Sequence, residues 1–200
     1  MNYVLLVTFS FSFLVGCTTR TVSNTPRTAI EQLLLSTAAD HALSKLHFPE
    51  LSGKKVYLDF TNLQAYDTEY IKSAVQTVIA ENNSIIVVTP EGADHVVQVS
   101  SGGFGNEYKE TLVGIPALPV PGSAMTLPEL ALWKTVEQDG IIKLLITVYS
   151  DSQIVSANHY YGKAERDETF FLWIRSQAKD DIRKAWEEAD EKLHVGQSLQ

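Results

Sequence analysis

The fold of this chain is decided by residues 55–101, which begin with the run KVYLDF at 55–60. Apolar and polar side chains alternate in that run, as they do in a half-buried strand. Residues 67–81 (DTEYIKSAVQTVIAE) carry apolar side chains at spacings of three and four, which predicts an amphipathic helix. The run IIVV at 85–88 is continuously apolar, as expected of an interior strand, and residues 95–101 predict another strand. The stretch therefore predicts a β-α-β-β unit.

A further helix is predicted on the amino-terminal side of this unit. Thr28 and Glu31 have the spacing of a capping box, and Pro26 suits the first helical turn. Apolar side chains then recur at helical spacing from Ile30 to Leu46.

The carboxyl-terminal side predicts strands that end in a helix. Residues 141–149 and 154–161 have strand composition, and Gln138-Asp139-Gly140 is a hairpin signal. The glycines at 102–105 predict a loop or a bulge after the strand at 95–101. Residues 170–174 (FFLWI) fit either a last strand or the start of a helix, and residues 182–193 predict a closing charged helix.

Together these patterns predict an α/β (α+β) fold. It has one mixed β-sheet with flanking helices, a β-α-β-β core at 55–101, β-hairpin strands and a C-terminal helix. A single domain is predicted over residues 28–195, followed by a flexible tail at 196–200. The predicted sheet core comprises Val56, Leu58, Ile86, Val88, Val97, Leu145 and Ile146, packed against helices that carry Leu34 and Val75. Burial of Leu145 would make Leu145→Ala cost roughly 2–5 kcal/mol.

Composition excludes several classes of protein. The 200 residues are 44% hydrophobic and 20% charged, so the chain can bury a core. The net charge of −8 argues against a nucleic-acid partner, because such a protein needs a basic face. A single cysteine excludes an internal disulfide and a cysteine-rich zinc site.

The amino terminus predicts export. Residues 3–15 (YVLLVTFSFSFLV) carry no charge and are too short to span a bilayer as a helix, but they suit the apolar region of a signal peptide. The following Leu14-Val15-Gly16-Cys17 resembles the lipobox of bacterial lipoproteins. That resemblance implies a signal peptide at 1–16, lipidation of Cys17 and a polar tether at 17–27. Thr18 after the cysteine resembles an outer-membrane address.

No catalytic signature stands out. Ser176-Gln177-Ala178-Lys179 matches S-x-x-K, but the S-D-N and K-T-G elements that accompany it in penicillin-binding proteins are missing. The five histidines lie far apart in the sequence, and no pair has the i,i+4 spacing of helical zinc ligands. The sequence therefore predicts a protein that is not an enzyme, with no cofactor and no metal site.

The segment Leu112–Leu127 (LVGIPALPVPGSAMTL) is uncharged and interrupted by proline, so it fits neither an interior helix nor a regular interior strand. It is either a loop folded over the core or an exposed apolar loop that contacts a partner, a membrane or a lipid. In the second case the predicted contact residues are Ile115, Leu118, Val120 and Met125.

The short motifs TPRT (25–28), EQLL (31–34), GIP (114–116) and PEL (128–130) resemble an uncharacterised family of bacterial lipoproteins. The order of elements after the lipobox is also distantly similar to the periplasmic domain of curli-secretion-type lipoproteins and to the amino-terminal domain of Tol-Pal translocation proteins. The family itself has no assigned activity, whereas the two distant resemblances imply protein–protein assembly and not catalysis.

The sequence thus predicts a lipid-anchored protein of the bacterial cell envelope, on the periplasmic side of the outer membrane. It would act as a non-enzymatic binding or assembly component, with an envelope protein or a second copy as partner. The alternatives are a periplasmic lipid-transport or glycan-processing factor, which could be an enzyme, and a purely structural lipoprotein. A polar cleft with converging carboxylates would favour the enzyme, and an apolar surface would favour the binding protein.

Overall fold

A computed structural model describes residues 16–21, 27–65, 67–172 and 174–197. The described helices are α1 (Ala29–Leu43), α2 (Thr68–Glu81) and α3 (Asp181–Gln197), with short 3₁₀ turns at Pro49–Leu51 and Pro90–Gly92. The described strands are β1 (Gly16–Thr21), β2 (Lys55–Asp59), β3 (Ile85–Val87), β4 (His95–Ile115), β5 (Leu118–Pro119), β6 (Thr126–Leu127), β7 (Leu130–Ser150), β8 (Gln153–Phe171) and β9 (Ile174–Asp180). Most of the predicted signal peptide, residues 1–15, and the end of the tail, 198–200, lie outside the described residues.

The described strands form one mixed sheet and one small hairpin. Hydrogen bonds join the sheet in the order β3-β2-β4-β7-β8-β9, and β1 pairs with β4. Strand β2 is parallel to both β3 and β4, whereas the β1–β4 and β8–β9 pairs are antiparallel. The predicted α+β fold, with its β-α-β-β core and its C-terminal helix, is confirmed.

The chain divides into two compact units. The β unit comprises Met1–Asn24, Glu107–Gln138 and Arg166–Asp180, and the α/β unit comprises Thr25–Asn106, Asp139–Glu165 and Asp181–Gln200. The described helices all belong to the α/β unit. None of them combines the length and the apolar character that a membrane-spanning helix needs.

Helix α1 forms because its start is capped and its middle is small and apolar. The Thr28 hydroxyl accepts a bond from the backbone N–H of Glu31 at 3.3 Å, and the Glu31 carboxylate accepts one from the N–H of Thr28 at 2.6 Å. This capping box is the predicted one. Ala38, Ala39 and Ala42 are fully buried, so little side-chain bulk separates the helix from its neighbours.

Two glycines in strands β7 and β8 allow the backbone of α1 to come close. A Cβ on Gly140 would lie 2.5 Å from the carbonyl oxygen of Leu34, and a Cβ on Gly162 would lie 1.8 Å from that of Ala38. The predicted hairpin at 138–140 is therefore wrong. Strand β7 continues through Gly140, and the glycine serves helix–sheet packing instead of a turn.

The predicted core is right for β2 and β4 and wrong in part for two other strands. Val56, Leu58, Val97 and Ile146 are buried together with Leu34 and Val75. Strand β3, however, is at the edge of the described sheet, and this leaves Ile86 37% and Val88 92% exposed. In strand β7 the core face carries Ile142, Leu144, Ile146 and Val148, and Leu145 lies half-buried on the other face.

Two loop predictions are also corrected by the strand bounds. The glycines at 102–105 lie inside β4, which runs without a break from His95 to Ile115. The end of β4 thus includes Thr111–Ile115, the start of the segment predicted to be a loop. Glycine can occupy a strand interior, at some cost in stability, when neighbouring strands supply the hydrogen bonds.

Candidate functional site

The uncharged segment between β4 and β7 folds as a small hairpin in the β unit. Leu118 pairs with Leu127 across strands β5 and β6, and the N–H of Val120 donates to the carbonyl of Met125 at 3.0 Å. Gly122 has a φ of 78°, which a glycine adopts without strain, and it closes the turn. The proline-rich stretch is therefore ordered by its own backbone hydrogen bonds.

This hairpin exposes most of the side chains predicted to contact a partner. Met125 is 73% exposed, Leu118 and Ile115 are exposed by more than two fifths, and Val120 is half-buried. These exposures do not fit a loop folded over the core. Of the two alternatives for the segment, they favour the exposed apolar loop.

A second apolar turn lies beside the start of β7. It joins β8 to β9 and exposes Phe171, Leu172 and Ile174, the last by 71%. The N–H of Leu172 donates to the carbonyl of Leu132 at 2.9 Å, and the Phe171 ring meets the Trp133 ring edge-on at 6.4 Å between centroids. The composition of residues 170–174 is typical of a core strand and does not predict the exposure of these three side chains.

We call the described residues 115–128, 130–133, 170–172 and 174 the apolar tip of the β unit. Within it a cavity of about 530 Å³ is lined by the apolar side chains of Leu130, Leu132, Phe170 and Leu172, together with Ala131, Glu129 and Lys134. That volume lies in the range of small-molecule binding sites. Because the lining is mostly apolar, it suits hydrocarbon better than a polar substrate.

A layer of ion pairs begins where the apolar tip ends. The Lys134 ammonium lies 2.9 Å from a Glu110 carboxylate oxygen and 3.0 Å from one of Glu129. Burial lowers the pKa of Lys134, but its hydrogen bonds to the two carboxylates outweigh this, and the net pKa is raised. Lys134 therefore stays protonated at neutral pH, which makes it unfit to act as a base or a nucleophile.

Tyr108 belongs to the same layer. Its hydroxyl donates to Glu110 at 2.7 Å. Burial, and then this hydrogen bond to a carboxylate, raise the pKa of Tyr108 to about 12. The phenol is thus a fixed donor that orients Glu110 toward Lys134.

In strand β8 the side chain of Glu168 binds two arginines. Its carboxylate lies 2.6 Å from Arg166 and 2.5 Å from Arg175. In the two groups of the layer, three carboxylates (Glu110, Glu129, Glu168) are ion-paired with three cationic side chains (Lys134, Arg166, Arg175).

The S-x-x-K match lies on strand β9, where it is part of a regular ladder. Ser176 is paired with Thr169, and the Lys179 ammonium lies 4.0 Å from Asp167. Elsewhere in the described part of the chain, no group of three or more His, Cys, Asp or Glu side chains is arranged to hold a metal ion.

Cys17 lies near the start of strand β1. Gly16 pairs with Gly114 and Cys17 with Val113, so the backbone of residues 16–21 follows the end of β4. The sequence predicts a tether at 17–27. The structure makes its first five residues part of a strand, and residues 22–26 lie outside the described residues.

One protein-family model matches the chain, over residues 12–155, and is described as a family of unknown function (DUF6655). Searches of the curated proteins and of the solved structures find no match.

Proposed function

The chain belongs to the family of unknown function (DUF6655), and we propose that it is a lipid-anchored bacterial cell-envelope lipoprotein that acts by binding and not by catalysis. The observation that carries this proposal is the apolar tip. Soluble monomers rarely expose a contiguous apolar patch of more than a few hundred Å² without a binding role.

The chemistry of the tip supports binding. Its cavity is lined mainly by leucine and phenylalanine side chains, and the nearest ammonium, that of Lys134, is bound by two carboxylates. An enzyme of acyl or glycosyl transfer would need a nucleophile or a pair of acids with different pKa values facing such a cavity. Contact with an apolar partner needs only exposed apolar side chains, such as those of Leu118, Met125 and Ile174.

The proposed anchor rests on the sequence. The uncharged run at 3–15 ends in Gly16-Cys17, and acyl chains on that cysteine would hold the protein on a bilayer, since each buried methylene contributes about 0.8 kcal/mol. The proposed location is the periplasmic side of the outer membrane.

Replacing Cys17 by serine is expected to abolish lipidation. In cells fed a clickable fatty acid, the native protein should take up the label and sediment with membranes, whereas Cys17→Ser should take up no label, whether it is released or stays uncleaved on the membrane. The physical reason is that only a thiol at this position can carry the thioether-linked lipid. Recovery of an unlabelled native protein from the soluble periplasmic fraction would contradict the proposed anchor.

Replacing Leu118 by aspartate is expected to weaken binding through the tip without unfolding the protein. Leu118 is 45% exposed, so a carboxylate there stays hydrated in the free protein but must be desolvated in an apolar contact. We expect the melting temperature to change by no more than about 2 °C. Chemical cross-linking of the membrane-bound protein should lose the adducts, to protein or to lipid, that form at the tip.

The matched control is Ile154→Asp, which alters an apolar side chain of the α/β unit that is 63% exposed. It should leave the cross-linking pattern intact. A large fall in the melting temperature of Leu118→Asp would show that the hairpin packs on the core, and unchanged stability with unchanged adducts would remove the hairpin from the proposed binding surface.

A further inference from the structure

We propose that the occupant of the apolar tip is the phospholipid bilayer itself, with the two apolar turns of the β unit inserted into the same membrane surface that holds Cys17. This inference rests on the proposed function and names its partner.

The strand register brings the start of β1 to the tip. Gly16 pairs with Gly114, and a Cβ on Gly114 would lie 2.2 Å from the carbonyl oxygen of Leu130. Residue 16 is therefore two strand spacings, about 10 Å, from the first residue of β7. The backbone of the neighbouring Cys17, which pairs with Val113, is therefore also close to the tip.

Charge is graded along the β unit as it is in a protein that enters a membrane interface. No charged residue occurs in 111–128 or in 169–174, the two stretches of sequence that contain the apolar turns of the tip. The first charges beyond them, Glu110, Glu129, Glu168 and Arg175, are held in ion pairs. Trp133 lies at the boundary, 49% exposed, where an amphipathic indole is favoured between hydrocarbon and headgroups.

The pairing of charges in this layer favours lipid over an electrostatically recognised protein. The carboxylates of Glu110, Glu129 and Glu168 are each bound by a cationic side chain, so they offer little attraction to a charged partner and little repulsion to an anionic headgroup surface. Specific recognition of one protein among many needs charged or polar groups that discriminate against the wrong partners, and the apolar turns carry no charged group. Insertion into hydrocarbon does not need such discrimination.

Tryptophan quenching tests the proposal directly. The full chain is reconstituted in vesicles of phosphatidylethanolamine and phosphatidylglycerol whose acyl chains carry bromine, a short-range quencher. Trp173→Phe with Trp186→Phe leaves Trp133 as the only tryptophan, and Trp133→Phe with Trp173→Phe leaves Trp186, which is 64% exposed on α3. We expect the lipid to quench Trp133 and shield it from aqueous iodide, and Trp186 to remain open to iodide.

Variants of the tip and of the α/β unit provide the matched comparison. Leu130→Asp with Ile174→Asp places two carboxylates on the tip and should abolish the lipid quenching of Trp133. Val88→Asp with Ile154→Asp, both at exposed positions of the α/β unit, should leave it unchanged. Because the Trp133 measurement itself adds no charge to the tip, a misfolded aspartate variant would not remove the test.

Two results would overturn the inference. One is a Trp133 that lipid bromine does not quench and iodide reaches freely. The other is a Trp133 that becomes shielded only after envelope proteins are added, which would make a protein the occupant. Fatty-acid labelling of Cys17 reports separately on the proposed anchor. An uncleaved chain would keep the apolar run at 3–15 next to the same bilayer, so the Trp133 result is obtained whether or not Cys17 carries lipid.

Discussion

Replacing Gly162 by alanine is expected to lower the free energy of unfolding of the α/β unit by about 3 kcal/mol or more. A Cβ at this position would lie 1.8 Å from the carbonyl oxygen of Ala38 and 3.0 Å from the backbone nitrogen of Ala42. Both atoms belong to the backbone of α1, so no side-chain rotation can relieve the clash. The helix would have to move away from β8, and the buried contacts of Ala38, Ala39 and Ala42 would loosen.

Urea unfolding followed by circular dichroism measures this effect. The matched control is Gly103→Ala, also in a strand of the α/β unit, where an added Cβ has no neighbour within 4 Å. That change should alter stability by less than about 1 kcal/mol, since it adds no clash. Equal urea midpoints for Gly162→Ala and the native protein would show that α1 does not pack against β8 at this glycine.

The elements that the sequence predicts well are those set by short-range chemistry. The capping box of Thr28 and Glu31 involves residues three apart, and the apolar side chains of α2 recur about once per helical turn. Strand β2 is recognised from alternation alone, because its two faces meet different surroundings. Such patterns need no knowledge of which elements become neighbours.

The predictions of the fold that are wrong concern residues whose surroundings are set by elements far away in the sequence. An apolar run such as IIVV at 85–88 fits an interior strand, but it lies at the edge when only β2 pairs with it. Likewise Asp139-Gly140 fits a turn, whereas the glycine is required by the backbone of α1. Both outcomes depend on contacts between residues far apart in sequence.

For the same reason, only one of the two segments of the candidate site could be identified from the sequence. The uncharged, proline-rich segment 112–127 predicts either a loop folded over the core or an exposed contact surface, and the sequence does not decide between them. The turn at 170–174 has the composition of a core strand, and only its pairing with Leu132 and Trp133 makes it part of the tip. Both 111–128 and 169–174 lack charged residues, and this shared feature is the sequence signal that could have identified the tip.

Replacing Leu144 by alanine is expected to cost roughly 2–5 kcal/mol of unfolding free energy, the range for truncation of a buried leucine. Leu144 is fully buried in the core of the α/β unit together with Ile142, Ile146 and Val148. Removing three heavy atoms there leaves a cavity that the flanking strands and α1 can close only in part. Chemical denaturation of the variant measures the loss as a lower midpoint with an unchanged slope.

Leu145→Ala is the control from the adjacent position. Leu145 shares a face of β7 with Lys143, whose side chain lies over Gly102 and whose ammonium is 5.3 Å from the centre of the Tyr161 ring. Because a lysine favours the solvated face of a strand, Lys143 predicts that the odd-numbered residues of β7 lie on that face. The half-buried Leu145 should therefore lose only about 1 kcal/mol on truncation. If Leu145→Ala proved the more damaging of the two, strand β7 would be displaced by one residue, because a slip of one exchanges the two faces.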